Sequence, residues 1–166
     1  MLIPLNVLLY QLSANSIYES QNIDLTGNFD NVQLFDQEQL NAEFGDELYL
    51  VSDQVLLNAL SRTPEDQFPS RCVFLCICQD EKLHTSDFHP NLSMVLLYTD
   101  ESFPLVFNRI LKIFHDFDIW DKNFHLMLIQ QKSLQDLLNL SKDFLVHPMV
   151  VLDRNYSILG YLRDPN

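Results

Sequence analysis

The sequence predicts an α/β fold, with α+β as the alternative: a small mixed sheet packed by helices, then long connecting helices and a C-terminal β-hairpin. Three observations lead to this prediction. Residues 71–78, RCVFLCIC, are apolar at odd and even positions alike, as in a central strand covered on both faces. Strand-like and helix-like segments alternate over residues 1–100. Helical spacing begins near residue 103, and two short apolar runs follow it.

The first elements are short and are separated by turn residues. Residues 2–12 have the composition of a helix, with Pro4 in its first turn. Residues 31–35, NVQLF, and 47–51, ELYLV, have the composition of strands, and Gly45–Asp46 supplies a turn before the second of them. The sheet is therefore expected to start in the first fifty or so residues.

A helix and two further strands follow. We expect Asp53 to cap a helix over 54–61, QVLLNALS, because an aspartate side chain can accept hydrogen bonds from the first free amides of a helix. Residues 92–98, LSMVLLY, are as apolar as residues 71–78, and the polar residues 79–91 connect the two. Both segments are therefore predicted to be buried strands of one sheet.

The longest periodic segment begins after Ser102, its expected N-cap, with Pro104 near its start. Apolar residues recur there at intervals of three and four, which is typical of one face of a helix, with a slip in register after Phe117. The spacing approaches that of a coiled-coil seam, but it covers only two heptads. This stripe predicts a dimer or interdomain surface, and packing on the sheet is the alternative. Its members are Phe103, Phe107, Ile110, Phe114, Phe117 and Trp120.

A shorter helix is expected after Ser133, its predicted N-cap. Asp136 stands three residues later, where a capping box usually has Glu or Gln. His147–Pro148 ends the helix, because the residue before a proline disfavours helical geometry. The apolar face consists of Leu134, Leu137, Leu138, Phe144 and Leu145.

Two strands, 149–153 and 157–162, are predicted around a turn at Arg154–Asn155. An isolated hairpin is marginal in water and leaves its edges unpaired. We therefore expect this hairpin to dock on the first domain, to pair with another chain, or to belong to a domain that continues beyond the sequence. The predicted organisation is an N-terminal α/β regulatory domain over 1–101, connecting helices over 102–147, and a hairpin over 148–166 that begins an incomplete sensory domain.

Composition excludes several classes of protein. Twenty-three acidic and ten basic residues give a formal net charge of −13, so this chain is expected to repel the phosphates of nucleic acid. No apolar run approaches the roughly 18 residues of a membrane span, and the first ten residues lack the basic start and cleavage site of a signal peptide. Three cysteines within seven residues do not suggest a disulfide framework, so a reducing, cytoplasmic location is expected.

Candidate chemical groups are few. The cysteines at 72, 76 and 78 alternate onto one strand face in an apolar run, so core packing is favoured over a metal or redox cluster. With three glycines, neither common type of phosphate-binding loop is present. Two groups could form a metal site, although solvated side chains are the favoured interpretation of both: His84, Asp87 and His89, and His115, Asp116, Asp118 and His125. We therefore predict no catalytic residue, no metal and no cofactor.

Three features stand out in residues 110–166: a helix containing Trp120, the run SLQDLL over 133–138, and the run HPMVVLD over 147–153 ahead of a hairpin. Together they resemble the middle of bacterial PucR-type (purine-catabolism-regulator-like) transcription regulators. ELYLVSD at 47–53 and RCVFLCI at 71–77 are similar to strands of the N-terminal domain of that family.

The resemblance implies an N-terminal α/β domain joined by helices to a GAF- or PAS-like sensory domain, with a DNA-binding helix-turn-helix outside this chain. It carries over no binding residue. The first hypothesis is therefore the non-enzymatic sensory and dimerisation portion of a bacterial transcription regulator, with a homodimer, a small-molecule effector, and DNA only through a C-terminal domain that this sequence lacks. The second is a stand-alone small-molecule-binding protein. The third is a metal-dependent enzyme that uses the loop over 84–89.

Overall fold

The chain forms two compact units, Leu2–Phe114 and His115–Asn166. The structure is a computed structural model, and α3, the longest helix, runs from the first unit into the second. The residues that it describes are 2–13, 17–35, 47–62, 72–79, 83–144 and 148–163.

The first unit contains most of the regular elements. In chain order they are β1 (Ile3–Pro4), α1 (Leu5–Leu12), β2 (Ile17–Gln21), β3 (Asn28–Phe29), β4 (Val32–Leu34), β5 (Leu48–Ser52), α2 (Asp53–Arg62), β6 (Val73–Cys78), a 3₁₀ turn (Thr85–Asp87), β7 (Met94–Tyr98) and the start of α3 (Phe103–Ile129). Strands and helices are thus interleaved along the chain, as the alternation in the sequence predicted.

The main sheet has five strands in the order β2-β7-β6-β5-β4. Strands β4 to β7 are mutually parallel, and β2 runs antiparallel along the outer edge of β7. All six residues of β6 are buried, so the strand that is apolar on both faces does lie inside the sheet. These findings confirm the predicted fold class of a mixed sheet packed by helices. Strands β1 and β3 form a separate two-stranded sheet.

One face of the main sheet packs on α2. Rings from three successive strands or strand ends meet there, with centroids 5.3 Å apart for Phe35 and Phe74 and 6.2 Å apart for Tyr49 and Phe74. The helix contributes Leu56 and Ala59 to the same buried cluster. The rings of Phe35 and Phe74 meet edge to face and those of Tyr49 and Phe74 are tilted; such ring pairs add to the gain from apolar burial, so this face is a well-packed core.

Other buried residues of this unit do not belong to that cluster. They include four leucines of α1 and, on α3, Val106 and Ile110. The Arg109 guanidinium links the two helices, because it donates to the Leu12 carbonyl at 2.7 Å and to the Glu101 carboxylate at 2.8 Å. The sheet domain is therefore fastened to the first half of α3.

The second unit consists of the rest of α3, α4 (Leu134–Leu140), β8 (Met149–Leu152) and β9 (Ile158–Leu162). An aromatic cluster joins the two helices: the ring centroid of Phe144 lies 4.4 Å from that of Phe117 and 5.5 Å from that of Trp120. The Trp120 indole N–H donates to the buried hydroxyl of Ser141 at 3.0 Å. The predicted hairpin is present as the antiparallel pair β8–β9.

Several predicted boundaries shift. The helix expected over 2–12 begins at Leu5, after β1. Asp53 is the first helical residue rather than the cap, and the Ser52 hydroxyl accepts a hydrogen bond from the Val55 amide at 3.4 Å. Helix α4 ends at Leu140, before the predicted end at His147–Pro148, and the hydroxyl of its C-cap, Ser141, donates to the Leu137 carbonyl at 2.9 Å.

Other predictions concern α3 and the residues outside the structural description. Helix α3 is continuous through Phe117, so the slip in its apolar pattern does not interrupt the helix. No helix among the described residues combines the length and the apolar character needed to cross a bilayer. The turn at Gly45–Asp46, and Leu145 and His147, lie outside the described residues.

Candidate interaction site

The three cysteines lie in the core of the main sheet. Each is at most 1% exposed, and the Cys76 and Cys78 sulfurs are 3.8 Å apart. Burial raises the pKa of the Cys72 thiol to about 12. The neighbouring Cys78 thiol, together with burial, raises the pKa of the Cys76 thiol. Because the thiolate is the reactive and metal-binding form, the geometry favours packing over chemistry for these side chains.

The loop over 84–89 is held by local hydrogen bonds. Asp87 accepts from the His84 amide at 2.8 Å, and His89 accepts from the Asn91 amide at 3.3 Å. The His84 ring faces Glu19 on β2, with Nδ1 3.1 Å from Oε1, a partner that the sequence did not indicate. This hydrogen bond lowers the pKa of the Glu19 carboxyl. The described residues contain no group of three side chains placed to hold a metal ion.

The polar residues of the second half of α3 form ordinary helix-surface pairs. Lys122 contacts Asp118 one turn away, and His125 Nδ1 lies 3.4 Å from the Asp121 carboxylate. An open groove of about 490 Å³ runs along this surface, lined by Asp121, Lys122, His125, Leu126 and Ile129. Pairs at this spacing are common on exposed helices, so they do not indicate a metal site.

The predicted apolar stripe on α3 is largely used within the chain. Ile110 is 0% exposed and Phe117 is 6% exposed. The other four side chains, Phe103, Phe107, Phe114 and Trp120, are half-buried. A role for the stripe as a dimer or interdomain surface stays a prediction, and two of its six members are already covered.

The hairpin is the part of the second unit that leaves the most apolar surface open. Helix α4 covers one of its faces, where Gly160 lies under Leu138. A Cβ atom at position 160 would lie 2.7 Å from Leu138 Cδ1, so only glycine allows this close approach without a shift. The register pairs Gly160 with Val151 and Leu162 with Met149, so these four residues share the side of the hairpin that faces α4, where Met149 at the end of β8 stays 38% exposed.

A side chain of α4 also binds the backbone of β9. The Gln135 carboxamide donates from Nε2 to the Tyr161 carbonyl at 2.8 Å and accepts from the Tyr161 amide at Oε1 at 3.0 Å. These are the two hydrogen bonds that a neighbouring strand would make. Gln135 therefore occupies the outer edge of β9 at this position.

The opposite side of the hairpin, the open hairpin face, is apolar and exposed. Val150 and Tyr161 are direct partners in the register, and Leu152 pairs with Ile158 next to a β-bulge. Leu159 lies two residues from Tyr161 and so points to the same side. The exposed fractions are 59% for Val150, 45% for Leu152, 65% for Ile158, 52% for Leu159 and 43% for Tyr161. Contiguous exposed apolar patches of this kind mark interaction surfaces.

Sequence reasoning predicted the hairpin but not the residues that organise it. Gly160 carried a signal, because glycine inside an apolar strand often marks a close backbone approach. Gln135 carried none, since a glutamine on a short helix is ordinary. Its role follows only from the position of β9, 26 residues further along the chain.

Comparisons of the chain with protein-family models, with curated proteins and with solved structures give no significant match. The candidate site is therefore assigned from its geometry alone. Among the described residues, that geometry includes an exposed apolar face on the β8–β9 hairpin.

Proposed function

We propose that this chain is the sensory and dimerisation portion of a bacterial transcription regulator whose DNA-binding helix-turn-helix lies outside it. The observation that carries the proposal is the open hairpin face: five apolar side chains, each at least 43% exposed, on a two-stranded sheet whose other face is packed. A surface of this kind is used for association. The resemblance of residues 110–166 to PucR-type regulators supplies the biological context.

The acidic charge of the chain supports a DNA-binding element that lies in another part of the regulator. The sequence has twenty-three acidic and ten basic residues, so its own contacts with phosphates would be unfavourable. In this proposal the chain acts in the cytoplasm, is not an enzyme, and reaches DNA only through another part of the regulator.

A small-molecule effector belongs to the proposal because of the main sheet. Open α/β sheets bind ligands beyond the carboxyl ends of their parallel strands. In this chain those ends carry polar groups, among them Ser52, the last residue of β5, and Thr99, the residue after β7. A thermal-shift screen with purines, amino acids and sugar acids tests this component. The same screen separates a sensor from a module that binds only protein.

The test of the regulator proposal has two arms. The reading frame that encodes this chain should also encode a helix-turn-helix, and its full product should bind its own promoter DNA in a fluorescence-anisotropy titration. The 166-residue chain alone should not bind that DNA at the same salt concentration. A reading frame without any DNA-binding element would overturn the proposal.

A further inference from the structure

The position of Gln135 determines which backbone groups of β8 are open. In an antiparallel pair, residues alternate between those whose N–H and C=O both point at the partner strand and those whose groups both point away. Both backbone groups of Tyr161 bind Gln135 and so point away from β8. Val150 is the register partner of Tyr161, and its N–H and C=O must therefore point away from β9.

A second hydrogen bond gives the same alternation of inward and outward backbone groups further along β8. The Asp153 amide donates to the Ser157 carbonyl at 2.9 Å, so the backbone N–H and C=O of Asp153 point towards β9. The backbone N–H and C=O of Leu152, one residue earlier, then point away from β9, as those of Val150 do. The outer edge of β8 thus presents the amide and carbonyl groups of Val150 and Leu152. Within the described part of the chain, no strand pairs with it on that side.

The two edges of the hairpin differ in protection. Natural sheets protect an edge with charge, proline, a bulge or a covering element. The edge of β9 is covered by Gln135 at Tyr161. Strand β8 reads MVVL, without charge or proline, and the extra residue of the β-bulge lies on β9 rather than on β8. It is therefore the edge that is ready to accept another strand.

We propose that β8 pairs antiparallel with β8 of a second copy of this chain, which gives a four-stranded sheet across a twofold axis. With Val151 on the axis, Val150 of each copy faces Leu152 of the other, and their outward amides and carbonyls can satisfy one another. Such a contact is self-complementary, as a twofold interface requires. The inference rests on the dimerisation part of the proposed function and on no other part of it.

The distribution of charge favours a second copy at this place. Residues 115–166 contain seven acidic and five basic residues, whereas residues 1–114 contain sixteen acidic and five basic residues. Two copies that meet through their hairpins therefore bring together the nearly balanced parts of two strongly acidic chains. A contact made through residues 1–114 would instead bring two segments with an excess of eleven acidic residues each against one another.

The open hairpin face becomes continuous in this arrangement. Val150 of one copy lies beside Leu152 of the other at the centre of the joined sheet, and Leu159 and Tyr161 of each copy lie on the outer strands of the same face. The strand is only four residues long, so the dimer belongs to the weak, concentration-dependent class. Covering of the β9 edge also means that pairing stops at two copies.

The test measures mass against concentration by sedimentation equilibrium. The wild-type chain should move from its monomer mass of 19.4 kDa towards twice that value with rising concentration. Val150→Pro removes an outward amide and leaves the hydrogen bonds between β8 and β9 intact. Val150→Lys places a charge on the edge and keeps the amide. Both variants should stay monomeric, with the circular dichroism of the wild type.

Two controls make the result specific. Ile129→Lys changes a side chain that is 79% exposed on α3, outside the hairpin, and should dimerise as the wild type does. Hydrogen exchange at the Val150 and Leu152 amides should slow in the wild type as concentration rises. A wild-type chain that is monomeric at every concentration would refute the inference. The outer edge of β8 would then pair with a strand from another protein or from another part of the regulator. A dimer that survives in Val150→Pro, or that is lost only in Ile129→Lys, would also refute it.

Discussion

The Gln135 side chain binds both the amide and the carbonyl of Tyr161, at 3.0 and 2.8 Å, and so takes the place of a strand at the edge of β9. The contact fixes the position of α4 on the hairpin, and it leaves β8 as the open edge.

Removing this side chain should loosen α4 from the hairpin. Gln135→Ala eliminates two hydrogen bonds to Tyr161, and at about 1 kcal/mol for each bond we expect the free energy of unfolding to fall by about 2 kcal/mol. Trp120, the only tryptophan, lies in the same unit and reports the transition in urea by its fluorescence. Asn139→Ala is the matched control, since it removes only the bond between Gln135 and Asn139. Equal losses in the two variants would contradict the role assigned to Gln135.

The same substitution should change the size of the assembly. With the β9 edge uncovered, Gln135→Ala provides two open edges, and the paired sheet can then extend beyond two copies. Light scattering should show species larger than a dimer at concentrations where the wild type shows dimers. The double variant with Val150→Pro should reduce their size. An unchanged dimer in Gln135→Ala would mean that Gln135 does not limit the assembly.

The close contact at Gly160 should not tolerate a methyl group. In Gly160→Ala the new Cβ lies 2.7 Å from Leu138 Cδ1, and the required shift is expected to cost about 1–3 kcal/mol of stability. In a Leu138→Ala background the space is free, so the second substitution should add little. A double-mutant cycle by urea unfolding measures this coupling. Additive losses would show that the steric conflict is absent.

The hairpin turn contains a strained residue. Tyr156 has a φ of 63° and is 84% exposed, and the left-handed conformation is unfavourable for a bulky side chain. Tyr156→Gly should therefore raise the thermal midpoint, because relief of this strain should add about 1 kcal/mol to the free energy of unfolding. Asn155→Gly is the control, because Asn155 is not among the described residues with positive φ. A loss of stability in Tyr156→Gly would indicate that the exposed ring makes a contact that matters more than the strain.

The capping box of α4 predicts a dependence on pH. Asp136 accepts hydrogen bonds from the hydroxyl and amide of Ser133 at 2.7 and 3.2 Å, and these bonds lower its pKa from the usual 3.8. A carboxyl whose pKa is lowered by folding makes its full contribution to stability at pH values above its pKa in the unfolded chain. That contribution is lost as the pH falls through the folded-state pKa. Stability should therefore decline below about pH 4 less steeply in Asp136→Asn than in the wild type.

The measurement is the urea midpoint as a function of pH. Asp143→Asn serves as the control, because it removes an exposed carboxylate on the same unit outside the capping box. It should follow the wild-type curve. Identical pH profiles for Asp136→Asn and the wild type would mean that the box does not form in solution.

Local patterns in the sequence determined most of the elements. Two-sided apolarity identified β6 as a central strand, and the Ser133–Asp136 pair identified the start of α4. Both signals act over a few residues, because a strand alternates at every residue and a capping box closes within one turn. Strand β2 went unpredicted: IYESQ lies at the sheet edge with Ile17 77% exposed, so it lacks the apolar alternation of a buried strand.

The sequence by itself therefore determined most of the elements, the acidic character of the chain and the presence of a terminal hairpin. Only the tertiary structure decided which groups remain open. The contact of Gln135 with Tyr161 spans 26 residues, and that of Arg109 with Leu12 spans 97. Such pairs carry no local periodicity, because they form only after packing has brought their elements together. The open edge of β8 follows from one of them, and for that reason no pattern in MVVL could reveal it.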